Sequence, residues 1–307
     1  MKEKSAVTSW LLDSDPAIRW QVMRDLTHEP EEVVTVERKR VSLEGWGAGL
    51  LALQNQDGTW GDDVAAPKWS STLYTLMLLY YMGLDPTSES AMKMVHLVQK
   101  GFTWAPEFGS THFFEGEVEP CINGRVVALG VYFGEPNDRL VDRLLSEQLD
   151  DGGWNCEAPQ SRRSSFHTTI NVLEGLLAYE QGQGVTVAVS EARQRAQEYL
   201  LERHMFRKLS TGEVIDQKWT RFSFPTTWHY DVLRGLDYLR SARVKPDERV
   251  AEAVALVEKR QHQNGRWPLQ NPHPFPYDLG LEGPSGTASR WNTLHALRVL
   301  DWYYAPE

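Results

Sequence analysis

The stretch Gln54–Trp60 reads QNQDGTW, and it recurs as QLDDGGW at Gln148–Trp154 and QHQNGRW at Gln261–Trp267. All three fit Q-x-x-D/N-G-x-W, and each closes a long amphipathic run. Spaced repeats of this kind confine a chain to like units stacked side by side. The residue types read as helix punctuation. A helix ends near the Gln, and the Asn or Asp with Gly supplies the turn that stops it. The Gln amide reaches orphan backbone groups at a neighbouring helix end. The Trp covers apolar area while its indole N–H takes a partner. These are structural jobs, not catalytic ones.

The rest of the chain reads as alternating outer and inner helices. Outer helices are expected over Lys4–Leu12, Glu31–Leu53 (interrupted around Gly45–Gly49), Ser88–Gln99, Asp138–Glu147, Ser190–His204 and Asp247–Arg260. Inner helices are expected over Pro16–Leu26, Ser70–Met82, Cys121–Phe133, Ser165–Tyr179, Thr226–Arg240 and Ser289–Tyr303. Loops fill Phe102–Pro120, Phe206–Pro225 and the proline- and glycine-rich Pro268–Gly286. Six outer–inner pairs in succession predict an all-α protein, an (α/α)6 toroid, as one domain over 1–307. Parallel inner helices in such a barrel bring all their N-termini to one end.

The repeats resemble the QW motif of squalene and oxidosqualene cyclases, which share the (α/α)6 toroid with protein prenyltransferase β subunits. The resemblance in repeats and helix pattern covers nearly the whole chain. It implies a domain in which the motifs tie outer helices together and an isoprenoid-handling cavity lies at the inner-helix N-termini. It also implies a small, apolar or isoprenoid ligand, and a prenyltransferase would add a helical partner subunit.

Composition narrows the function classes. A formal net charge of -10 argues against non-specific nucleic-acid binding. Two cysteines, Cys121 and Cys156, make no disulfide framework and suit a reducing cytoplasm. The sequence MKEKSAVTSWLLDSD lacks a signal-peptide core, and no apolar run reaches the length of a transmembrane segment.

The inner-helix starts carry the candidate site. There stand Trp69, Glu119, Cys121, Asn123, His167, Trp228, His229, Tyr230, Asp231, Arg290 and Trp291, with Arg125 one turn beyond Cys121. The plain reading of each is a cap or a core filler; as a set they line a cavity whose helix dipoles favour anions. Thiolate, imidazole and carboxylate with one open position suit catalytic zinc, so Glu119, Cys121 and His167 are candidate ligands. The prenyltransferase β subunits bind zinc through Asp-x-Cys at one inner-helix start and His at a later one. Glu119-x-Cys121 and Phe166-His167-Thr168 are similar, with Glu in place of Asp. Either His229 or Asp231 is an alternative ligand. Arg125, Arg162, Arg163 and Arg290 are candidates to hold a diphosphate.

The D-x-D-D acid of class II terpene cyclases and the D-D-x-x-D magnesium motif are both absent. A cyclase would therefore draw its acid from Asp231, with His229 and Tyr230 beside it as catalytic candidates. Aromatic faces at Trp69, Trp228, Tyr230 and Trp291 would stabilise a carbocation. The same aromatics suit sugar stacking, so a carbohydrate-active lyase or glycosidase is the alternative. A ligand-binding scaffold that kept the fold and lost the chemistry is another.

Overall fold

The computed structural model describes residues 2–305 apart from 65, 276 and 278. Positions 276 and 278 of the expected loop 268–286 thus lie outside the described residues. Among those described there are thirteen α-helices and no strand, only three isolated β-bridges. No described helix is long and apolar enough to cross a membrane.

The helices are α1 Lys2–Leu12, α2 Pro16–Asp25, α3 Glu31–Lys39, α4 Gly45–Ala52, α5 Lys68–Met82, α6 Glu89–Gly101 and α7 Pro120–Phe133. They continue as α8 Asp138–Ser146, α9 Phe166–Gln183, α10 Val187–Glu202, α11 Val232–Ser241, α12 Ala251–Lys259 and α13 Arg290–Tyr303. Every expected inner and outer helix is present. Several ends shift by a few residues from the sequence reading, and two of the differences have a clear local cause. The break in the second outer segment falls at Arg40–Glu44, and Gly45, with φ 67°, begins α4 instead of interrupting it. The fifth inner helix starts at Val232, not Thr226, because Thr227 takes a left-handed φ of 46° and Asp231 caps the helix by accepting from Arg234 N.

The chain divides into two compact units, one of Met1–Ala52, Tyr81–Asp85 and Arg203–Glu307, the other of Leu53–Tyr80 and Pro86–Glu202. In the first, α2 packs with α13, so the two ends of the chain share one core. Arg298 on α13 bonds Gln21 at 2.9 Å and pairs with Asp25, both on α2. In the second, α7 and α9 pack along their lengths. A Cβ on Gly124 would strike the Asn171 carbonyl, one on Gly175 the Gly124 carbonyl, and one on Gly182 the Val131 side chain. The register advances in the same direction along both helices, so this inner pair is parallel, as the sequence predicts.

The three repeats fold alike. In each, the Gln amide donates to its own turn's glycine carbonyl: Gln54 to Gly58 at 3.1 Å, Gln148 to Gly152 at 2.6 Å, Gln261 to Gly265 at 3.2 Å. In two copies it also reaches the next outer helix, at Met94 O (3.2 Å) and Ala192 O (2.8 Å). These carbonyls lie within α6 and α10 rather than at a helix end, which corrects the expected role. The indole N–H groups of Trp154 and Trp267 take the orphan carbonyls of Leu144 and Val257, each at 2.7 Å, in the last turn of their own outer helices. The backbone N–H of Trp60, Trp154 and Trp267 donates at 3.0 Å to Thr72, Thr169 and Thr293, which sit in the first turns of α5, α9 and α13. The second and third repeats therefore clamp the end of one outer helix to the start of the next inner one, and the first ties its turn to α5 and α6.

Candidate functional site

The most chemically charged constellation lies in the second unit, at the start of α7. Pro120 opens the helix where a missing N–H costs nothing. Glu119 occupies the N-cap position, yet its side chain makes no capping bond. Its carboxylate instead accepts from the Cys121 thiol at 3.6 Å. The strand of loop before it is fixed from three sides. Asn123, fully buried, grips the Glu117 backbone at both N (2.7 Å) and O (2.8 Å). Arg143 of α8 donates to the carbonyls of Glu117 (2.6 Å) and Val118 (2.9 Å). Gly116, with φ 82°, lets the chain pass where a Cβ would meet the Asn123 side-chain oxygen.

The Glu117 carboxyl is held by its neighbours' backbone N–H groups, Val118 at 2.5 Å and Glu119 at 2.9 Å. Burial pushes it up to about 7; the two backbone bonds oppose the rise, and the charge of Glu119 adds to it. Cys156, on the loop between the second repeat and α9, brings a second thiol to Cys121. Its Sγ lies 3.4 Å from the Thr168 hydroxyl in the first turn of α9. The hydrogen bond between the thiols, with burial, pushes Cys121 up, and the same bond brings Cys156 down. The donor atoms of Glu119, Cys121 and Cys156 all lie within 4.8 Å of one another.

Among the described residues this Glu–Cys–Cys group is the one cluster of metal-ligand type, and His167 is not part of it. His167 opens α9, and its carbonyl accepts from Asn171 at 2.7 Å. Two thiols and a carboxylate fit zinc in donor chemistry and number, with a fourth position left for water. Arg125 is buried behind the group, its guanidinium 5.5 Å from the Tyr74 ring. Trp69 packs against Phe108 (5.5 Å) and Trp104 (6.3 Å) in an aromatic cluster that continues to Phe102 and Phe113.

The remaining candidates lie in the first unit. Asp231 is buried, accepting from Ser223 N (3.2 Å), Ser223 Oγ (3.0 Å) and Arg234 N (2.9 Å). Burial raises its carboxyl to about 6 against these bonds. Tyr230 is buried, donates its hydroxyl to Met205 O at 2.7 Å and meets Trp219 edge-on at 5.3 Å. His229 is stacked between Trp228 (3.9 Å) and His273 (3.7 Å), and Trp228 is 43% exposed. Trp291 is fully buried, stacked on Phe224 at 4.2 Å. The Arg290 guanidinium lies 4.6 Å from the Trp10 ring and donates to the Trp10 carbonyl. Glu282, absent from the sequence reading, accepts from Ser289 Oγ at 2.5 Å and from Trp291 N at the start of α13, and burial lifts it to about 7.

Sequence reasoning missed Glu117 and Cys156. Glu117, Glu119 and Cys121 alternate, a spacing that sets them on one side of an extended run entering a helix. Cys156 is the chain's second cysteine, two residues after a repeat Trp.

The sequence matches no known protein-family profile, and no curated protein sequence matches it. Among solved structures it is similar to the type II terpene cyclase MstE from Scytonema, at 16% identity over 97% of this chain and 96% of that one, with a TM-score of 0.49. A variant of that cyclase in complex with geranylgeranyl dihydroxybenzoate gives 17% identity, 97% and 95% coverage and a TM-score of 0.49. A protein from Actinoplanes gives 15% identity, 98% coverage of both chains and a TM-score of 0.48.

Proposed function

We propose that this protein binds and transforms a linear isoprenoid in a toroidal helical scaffold of the cyclase and prenyltransferase kind. The observation that carries the reading is the threefold repeat. The same Gln, Gly, Trp and Thr contacts recur at three hairpins, on a pattern that resembles the cyclase repeat.

Chemistry that begins by protonating a carbon–carbon double bond needs a carboxyl that still holds its proton when substrate arrives. Asp231 approaches that need: burial raises it to about 6, so part of the population holds its proton in mildly acidic solution. After the proton passes to the alkene carbon, the carboxylate left behind is stabilised by the donors on Ser223 and Arg234. Tyr230 and His229 position the segment that carries it. The exposed aromatic face of Trp228, in the same unit as Asp231, serves a cationic intermediate. Arg290, also of that unit, adds a cationic group in this reading.

The test is turnover. Purified protein is incubated with farnesyl diphosphate, geranylgeranyl diphosphate and squalene, and products are read by gas chromatography–mass spectrometry. Wild type is expected to consume at least one, and Asp231→Asn to lose about 10²-fold or more of the rate while still quenching tryptophan fluorescence on binding. Failure of the wild type to bind any of the three overturns the reading. Loss of binding together with turnover in Asp231→Asn would return that residue to a purely capping role.

A further inference from the structure

We infer that Glu119, Cys121 and Cys156 form a binding site for a soft divalent metal ion of the zinc class. The site recruits Cys156 and does without His167. It stands on the geometry of the second unit alone and does not rest on the isoprenoid reading.

Three observations lead to it. First, donors from two separate segments converge. Glu119 and Cys121 belong to the start of α7, Cys156 to the loop before α9, and their ligand atoms lie within 4.8 Å of one another. A tetrahedral zinc ion with bonds of about 2.3 Å to sulfur and about 2.0 Å to oxygen spaces its ligands about 3.5 to 3.8 Å apart. The Cys121–Glu119 edge is already 3.6 Å, so closure needs only a small inward movement of Cys156. Second, the site is built and held. Glu119 sits at an N-cap yet points its carboxylate to the thiol instead of the helix. Asn123 and Arg143 fix the backbone that presents it, and the Thr168 hydroxyl lies against the Cys156 sulfur. Outer groups of this kind orient metal ligands. Third, the site is graded in exposure, with Cys121 buried, Cys156 half-buried and Glu119 exposed. Solvent therefore reaches the carboxylate side, where a water would take the fourth position.

The donor set chooses the ion. Two thiolates select zinc-class ions over magnesium or calcium, which take oxygen ligands. Binding displaces the thiol protons to solvent, leaving two thiolates and a carboxylate on a dication, with a net charge of -1 that the buried Arg125 behind Cys121 offsets.

The experiment uses the full chain, purified without chelators and with a phosphine reductant. Zinc is counted by plasma mass spectrometry, and the apo protein is then titrated with cobalt(II). About one equivalent of metal is expected, with a thiolate-to-cobalt charge-transfer band and tetrahedral d–d bands. Cys121→Ser and Cys156→Ser should each abolish the bands, Glu119→Gln should weaken cobalt affinity about 10-fold or more, and His167→Ala should keep them. Should the serine variants fail to fold, thiol counting on wild type decides. Zinc is expected to protect both cysteines from a disulfide reagent, and a chelator to release them. The inference is overturned if reduced protein binds no cobalt, if Cys156→Ser binds as wild type does, if His167→Ala loses the bands, or if zinc leaves the thiols reactive.

Discussion

Thr169 shows what a single residue does in this molecule. Its hydroxyl, fully buried, accepts the backbone N–H of Trp154 at 3.0 Å, as Thr72 and Thr293 do for Trp60 and Trp267. Thr169→Ala leaves that N–H buried with no acceptor, a cost of about 1–3 kcal/mol. Thr169→Ser keeps the hydroxyl and should recover most of it. Urea midpoints followed by tryptophan fluorescence will separate the two; equal losses would assign the effect to the methyl group. The repeat's Gln, Gly and Trp were legible because the pattern repeats them at fixed spacing. The three threonines were not, because they follow their Trp at twelve, fifteen and twenty-six residues, separations set by loops of unequal length. The candidate site divides in the same way. Glu119 and Cys121 announce themselves as neighbours, whereas Cys156 reaches Cys121 only when α7 and α9 lie side by side.

At the scale of elements, helix-period reading placed every inner and outer helix, with one instructive failure at α11. The string Thr227–Asp231 has the polar and aromatic residues of a helix start, and its pattern predicts one. The chain instead turns through a left-handed Thr227, and helix begins only after the Asp231 cap. His229 and Tyr230 therefore sit on a loop whose shape comes from stacking on Trp228 and His273 and from the Tyr230 bond to Met205. The α7–α9 pair makes the opposite point. Its approach is set by glycines that periodicity alone treats as weak helix formers. Gly175→Ala would drive a methyl into the Gly124 carbonyl, and the overpacking should lower stability by about 1–3 kcal/mol. Gly134→Ala, at an open C-cap with φ 86°, is expected to cost about 1 kcal/mol through strain alone. Thermal unfolding of the two variants checks the order; a Gly175→Ala protein as stable as wild type would mean that the helices can separate freely.

At the scale of the molecule, the second and last helices of the chain are joined by charge. Asp237 and Arg240 of α11 pair at 2.7 Å, and Arg298 of α13 pairs with Asp25 of α2. Burial alone would raise the Asp237 carboxyl, but Arg240, His295 and Arg298 outweigh it and hold it down to about 2. A depressed carboxylate stabilises the fold above its unfolded value near 3.8, and the contribution is lost as pH falls through about 2. The shift corresponds to about 2 kcal/mol. Asp237→Asn should destabilise the protein at pH 7 by about 2 kcal/mol, because it removes the carboxylate that pairs with half-buried Arg240 and faces Arg298. The gap from wild type should narrow as pH drops from 4 towards 2. Urea midpoints across that range are the measurement, and a gap that stays constant would show that the carboxylate's charge is not what matters.

The sequence by itself determined the helical class, the order of the hairpins and the places where they are clamped. These depend on local periodicity, on turn-forming residues and on a motif repeated in the chain. Tertiary structure decided which reactive side chains meet. It brought Cys156 rather than His167 to Glu119 and Cys121, buried Asp231 and Glu117 deeply enough to lift their carboxyls to about 6 and about 7, and tied Arg298 to Asp25 across nearly the whole chain. Such contacts join residues far apart in sequence, and their distances and desolvation follow from packing, which no local pattern encodes.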